Sequence, residues 1–282
     1  MLFVACVPKE NRYSLSEERL FGIANLDEIV EKIRNDLKLR SSSISISFSF
    51  KGDYMDDISP FVKELMELVL TETGEPDEGD YIRYELGGYT FSYGHEATSR
   101  GYNYSIIINP EYYSTGEQER QVTEKVREIL DSFPLRESSS DYEKVRAVYD
   151  YLTANVKYDI VHKKNQYHTL KSTAYGALIN RTATCQGISV AAYRLLMELG
   201  VSCRVITGMA NPDHEDSEYH AWNIVCIDGL YYNLDITWDE QLGGEDYFLK
   251  SDENFAGHAR DEEFKTAEFY DIYPMAEQDY IL

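Results

Sequence analysis

Three residues of this 282-residue sequence could do nucleophilic chemistry together: Cys185, His220 and Asp235. Cys185 opens the run CQGISVAAYRLLMELG, in which Ile188, Ala191, Ala192, Leu195, Leu196 and Leu199 recur at helical spacing. Gly200 supplies a C-terminal stop, so the spacing predicts a helix with Cys185 in its first turn. Unpaired backbone N–H groups and the positive end of the helix dipole favour negative charge there, which turns a thiol towards the nucleophilic thiolate. By itself such a cysteine is more often a small packed residue. A thiolate catalyst also needs a base within hydrogen-bonding reach and a third group that orients the base.

The elements after that helix can supply both. Residues 219–227 and 230–238 are β-rich runs separated by Asp228-Gly229, a strong signal for a two-residue hairpin turn. Such a turn pairs residue 227 with 230, so Trp222 faces Asp235 and His220 faces Thr237, all on one side of the sheet. His220 and Asp235 are then diagonal neighbours with backbones about 7 to 8 Å apart, within side-chain reach. A carboxylate at that place holds the imidazole tautomer and stabilises its cation. Taken singly, His220 is an edge-strand histidine and Asp235 a solvated acid. The conjunction with a cysteine at a helix start gives the Cys-His-Asp order of a papain-like thiol site.

These residues resemble the transglutaminase-like superfamily, in particular its bacterial members. ATCQGISVAAYRLLMELGV is similar to that family's nucleophile helix, and HAWNIVCIDGLYYNLDITWD to its histidine and aspartate hairpin. The likeness continues through EQERQVTEKVREIL, DYEKVRAVYDYLTANVKYD, HTLKSTAYGAL and YFLKSDENFAGHAR, covering residues 115–260. It implies a papain-like core with an antiparallel sheet and a nucleophile helix, Cys185 as nucleophile, His220 as general base and Asp235 as orienting acid. Two departures bear on the activity. The animal cross-linking members carry a tryptophan upstream of the cysteine, whereas Trp222 and Trp238 both lie downstream here; they also use calcium, and this sequence has no EF-hand loop. The expected activity is therefore a cysteine peptidase or amidase acting on peptide or glutamine amide bonds, ahead of protein-glutamine transamidation. A peptide-binding module that keeps the fold without activity is the further alternative. The Cys185 backbone N–H is expected to stabilise the oxyanion, with Tyr175 or His168 as side-chain candidates.

Upstream, residues 26–39 place Leu26, Ile29, Val30, Ile33 and Leu37 on one helical face, residues 44–50 alternate as a half-buried strand, and a helix follows over about 58–72 with Pro60 in its first turn. Residues 81–86, the Gly87-Gly88 pair, 89–93 and 102–108 read as a hairpin plus another strand. The tyrosines dense in this stretch are expected to pack on strands rather than form a carbohydrate-binding face. From Gly116 to Pro134 the pattern is helical, and residues 141–155 form a longer helix with Asp141 as its N-cap. A loop carrying His162 and His168 follows, then a short helix over 174–179. The whole reads as an α+β protein: a small α/β domain of unassigned role over 1–114 and a transglutaminase-like domain over 115–282.

Composition sets the outer limits. Lys and Arg total 27 against 50 Asp and Glu, a net charge of −23 that repels phosphate backbones, so nucleic acid is not an expected partner; a peptide or protein substrate is. Hydrophobic residues at 43% and charged residues at 27% are those of a folded globular protein. The four cysteines form no Cys-x-x-Cys pair and have no histidine at zinc spacing, so no metal or other cofactor is expected, and Cys203 and Cys226 are expected to be small packed residues. No run is long enough for a membrane span. The protein reads as cytoplasmic by default, with Val4-Ala5-Cys6 leaving an exported, lipid-anchored form open. Asp213, Glu215, Asp216 and Glu218 make an acidic loop leading to His220, expected to be solvated; at a cleft edge it would raise the His220 pKa and attract cationic substrates.

Overall fold

A computed structural model of the chain describes residues 23, 25–51, 54–215 and 217–281. Val4-Ala5-Cys6 and Asp216 lie outside the described residues. The chain divides into two compact units, one holding described residues up to 73 together with 77–116, the other 74–76 and 117–281.

In the first unit, α1 (Leu26–Lys38) buries Ile29, Val30, Ile33 and Leu37, the face its periodicity marks. Helix α2 (Ser59–Val69) carries Pro60 in its first turn and stops at Val69, short of the expected 72. Both helices share a core with a three-stranded antiparallel sheet of order β1–β3–β2, made of β1 (Ile44–Phe50), β2 (Leu86–Thr98) and β3 (Gly101–Tyr112). The alternation in β1 turns Ile44, Ile46 and Phe48 inwards and leaves its serines on the open face, where Ser47 Oγ lies 3.2 Å from Ser105 Oγ. Two expectations fail here. Residues 80–85 form a short helix, α3 (Asp80–Glu85), and the hairpin turns at residues 99–100 rather than at Gly87-Gly88. The glycine pair instead sits where the β2 register shifts, as an unbranched backbone allows. The true turn is closed by Thr98 Oγ1, which donates to the Gly101 carbonyl and accepts from the Arg100 N–H. Tyr81 and Tyr104 are buried, and Tyr89, Tyr102 and Tyr112 pack against the core.

The second unit begins with α4 (Gly116–Ser132) and α5 (Asp141–Asn155). The cap of α5 is Ser140, not Asp141: Ser140 Oγ accepts from the Glu143 N–H, and the Glu143 carboxylate accepts from the Ser140 N–H at 2.7 Å, a reciprocal box that an aspartate one residue on cannot form. Two short parallel strands, β4 (Lys157–Tyr158) and β5 (Thr182–Ala183), bracket a loop and the small helix α6 (Ala174–Leu178). Helix α7 (Cys185–Glu198) follows; it is buried almost throughout, and Gly200 ends it with φ +74°. It packs against β6 (Cys203–Ala210) and β7 (Glu218–Ile227) of a four-stranded antiparallel sheet ordered β8–β7–β6–β9, where β8 is Leu230–Leu234 and β9 is His258–Arg260. Asn223 Nδ2 fastens helix to sheet, donating to the Ser189 carbonyl at 3.0 Å and the Arg204 carbonyl at 3.2 Å. Helices α8 (Ile236–Leu242) and α9 (Ala267–Ile272) complete the unit. Cys203 and Cys226 are both buried, as expected of small packed residues, and Cys226 is disulfide-bonded.

Strand β9 can join β6 only where β6 is bare. Gly208 pairs with His220 on one side and Arg260 on the other, and a Cβ there would strike the Ala259 carbonyl. Gly208→Ala is therefore expected to destabilise the protein by about 1–3 kcal/mol, the usual cost of forcing a methyl into a filled place. Urea unfolding checks it; an unchanged midpoint would mean that β9 is not seated against β6 in this way.

Candidate active site

Cys185 is the first residue of α7, half-buried, with no acidic side chain in the first turn. The preceding Thr184 is extended and tied to the chain before it, its N–H donating to the Lys171 carbonyl at 2.8 Å. His220 comes from β7 and is 4% exposed. The hairpin has the expected register: residue 227 pairs with 230, and Asp228 and Gly229 take φ of +53° and +91°. The ladder stops at Leu234, however, so the expected pairs Trp222–Asp235 and His220–Thr237 do not form, and Thr237 lies in α8. Asp235 has left the sheet to cap α8, accepting from the Trp238 N–H at 3.1 Å through Oδ1.

That excursion still brings the predicted pair together. His220 Nε2 lies 2.7 Å from Asp235 Oδ2, and because a carboxylate only accepts, the ring nitrogen donates. Cys185 is close enough to the same imidazole to raise its pKa. Burial works to discharge His220, but the charge and hydrogen bond of Asp235 and the contact with Cys185 outweigh it, and its pKa is pushed up to about 10. Burial likewise opposes the charge on Asp235, yet His220 and His258 together hold its pKa down at about 2. A site built this way can keep an imidazolium beside a sulfur at neutral pH.

Several neighbours were not marked by the sequence. His258, delivered by β9, donates from Nε2 to the same Asp235 Oδ2 at 3.0 Å. Trp238 tilts against both imidazoles, with centroids 5.5 Å from His220 and 4.2 Å from His258. Arg260 pins β9 by donating to Asn233 Oδ1 and Asp252 Oδ1. Tyr158, at the end of β4, is pushed well above the ordinary phenol range, first by burial and then by the charge of Cys185. The only available hint of His258 was its place in the resembling segment YFLKSDENFAGHAR; no spacing links it to Asp235. The expected oxyanion candidates fare differently. His168 stacks on His162 with centroids 4.1 Å apart, Tyr175 lies in α6, and among the described residues neither forms a hydrogen bond or ring contact with Cys185 or His220. In the acidic loop, Glu218 pairs with Lys163, and the charges that raise His220 are those of Asp235 and Cys185. Among the described residues, two groups have ligand atoms within 4.8 Å of one another, Asp159–His162–His168 and His220–Asp235–His258. Imidazole–carboxylate hydrogen bonds account for both, His162 Nδ1 lying 3.0 Å from Asp159 Oδ2.

A cysteine-headed helix packed on an antiparallel sheet, with a histidine on the adjoining strand and an aspartate just past its hairpin, brings together the residue types of a papain-like thiol site. Residues 120–236 match the model of the Transglutaminase-like superfamily. Over 116 residues the chain is 27% identical to the kyphoscoliosis peptidase of Mus musculus, a match spanning 38% of this chain and 17% of that protein. The Homo sapiens kyphoscoliosis peptidase gives the same identity and coverage, so the chain spans under a fifth of these relatives. A crystal structure of a TGase aligns with 72% of this chain and 56% of its own, at 16% identity and a TM-score of 0.38. No helix among the described residues is long and apolar enough to cross a membrane.

Proposed function

We propose that the second unit is a thiol acyl-transfer enzyme, a cysteine peptidase or amidase acting on peptide or glutamine amide bonds. The observation that carries this reading is the His220–Asp235 contact of 2.7 Å in an imidazole whose charge Cys185 also favours. The Cys185 sulfur attacks the amide carbonyl, forming the S–C bond. The tetrahedral oxyanion is met by the Cys185 backbone N–H and by the Tyr158 hydroxyl, which its raised pKa keeps protonated. As the C–N bond breaks, His220 gives its proton to the leaving amine. It then takes one from water, and hydroxide attack on the thioester releases the acid and the thiol. Asp235 holds the ring throughout. The partial exposure of Cys185 supports an enzyme over a binding module.

Water is the expected acceptor, since no tryptophan precedes the cysteine. The test is product partitioning of a glutamine peptide with and without a diamine, at low and high salt. Hydrolysed product should dominate under both conditions, with some amine coupling at low salt where the acidic surface concentrates cations. Amine-coupled product dominating at both would make the protein a transamidase.

A further inference from the structure

Asp235 serves two imidazoles, and a Cys-His-Asp mechanism uses only one. His258 is 1% exposed at its side chain, and its Nε2 lies 3.0 Å from Asp235 Oδ2. Its Nδ1 lies 3.1 Å from the Ala256 carbonyl oxygen. Neither partner can donate, so both contacts are hydrogen bonds only when both ring nitrogens carry protons. The enclosure suits a cation: Phe255 stacks on the ring at 3.9 Å and Trp238 lies at 4.2 Å, their π faces attracting positive charge.

The geometry points to His258 as a positioning residue, a second imidazole that carries both of its protons, fixes Asp235 Oδ2, and offsets part of the aspartate charge so that His220 can release its proton. This rests on the acyl-transfer reading of the same site. The consequence is electrostatic. His220 and His258 have centroids 5.5 Å apart across one carboxylate, and a like charge at that range favours loss of the His220 proton. Without it, Asp235 would hold His220 cationic too firmly for a group that must give a proton to a leaving amine. The other groups facing the ring are Trp222 and Tyr247, of which only Tyr247 titrates, in its case far above neutrality, while Arg260 is engaged by Asn233 and Asp252.

Histidine ¹⁵N spectra of the full chain test this without any substrate. In the wild type at neutral pH, the His258 resonances, assigned by their loss in His258→Gln, should show two protonated nitrogens. The glutamine amide can still donate to Asp235 but brings no charge, so the titration midpoint of His220 should rise by about half to one unit in that variant. A single protonated nitrogen on His258 overturns the inference, as does an unmoved His220 midpoint in a folded His258→Gln protein. A purely structural role would lower the melting temperature and leave that midpoint in place. If that variant fails to fold, His258→Asn supplies the assignment, and the wild-type spectrum decides the charge state on which the inference stands. Failure of the wild type to turn over any acyl donor would sink the acyl-transfer reading alone, so the two fail separately.

Discussion

Asp235→Asn is expected to lower acyl turnover by about three to four orders of magnitude, the scale seen when the orienting carboxylate of a hydrolase triad is made an amide. The carboxylate receives three donors: His220 Nε2 and His258 Nε2 on Oδ2, and the Trp238 N–H on Oδ1. An asparagine has one accepting oxygen and an NH2 group, so whichever way it turns, an N–H meets an N–H. Relief requires His220 to change tautomer, which presents the wrong atom to Cys185. A stability signature accompanies the loss. The depressed Asp235 pKa contributes stability that is present above its unfolded value of about 3.9 and lost as pH falls through about 2. The raised His220 pKa contributes stability that is full below about 6.5 and lost as pH rises through about 10. The gap between wild type and variant should therefore be widest between about pH 4 and 6.5 and narrow at pH 9, other carboxylates cancelling in the comparison. Urea midpoints at pH 5 and pH 9 measure it, and a gap independent of pH would show that the ion pair is not what the substitution removes.

The second large effect concerns thiol reactivity. Cys185 is half-buried and faces an imidazole that stays charged at neutral pH, whereas Cys203 is 1% exposed. Reaction at Cys203 must wait for local opening, whose cost of several kcal/mol should make it at least about 100-fold slower than Cys185 towards iodoacetamide. His220→Ala should slow Cys185 specifically. Peptide mapping of alkylation over time resolves the sites. Equal slowness of the two cysteines, or indifference of Cys185 to His220→Ala, would remove the case for a nucleophile at this position.

The placement of Cys185, His220 and Asp235 was legible to the extent that each sits beside a local signal that sequence carries well. Cys185 precedes a helical stripe ended by glycine, and the Asp228-Gly229 turn fixes the hairpin register. The expected approach of Asp235 to His220 is seen, but by another route: alternation carried the strand to 238, while the side chain of Asp235, a good N-cap, ends the ladder at Leu234 and starts α8. The same competition between cap and pattern moved the start of α5 back to Ser140. Gly87-Gly88 misled because a glycine pair serves a bulge as well as a turn. His258 and Tyr158 were illegible because they reach the site by tertiary pairing, β9 to β6 and β4 to β5, which no periodicity records.

Strand β9 is three residues long and forms an edge of its sheet. Short edge segments open at lower free energy than the strands they lean on. Detaching residues 258–260 would take one imidazole from Asp235 while the β7–β8 hairpin, closed by its own two-residue turn, keeps His220 in place. Mild stress should thus favour a form in which Cys185, His220 and Asp235 are all present while the carboxylate is secured by one ring instead of two, and the proposed chemistry should fail before the protein unfolds.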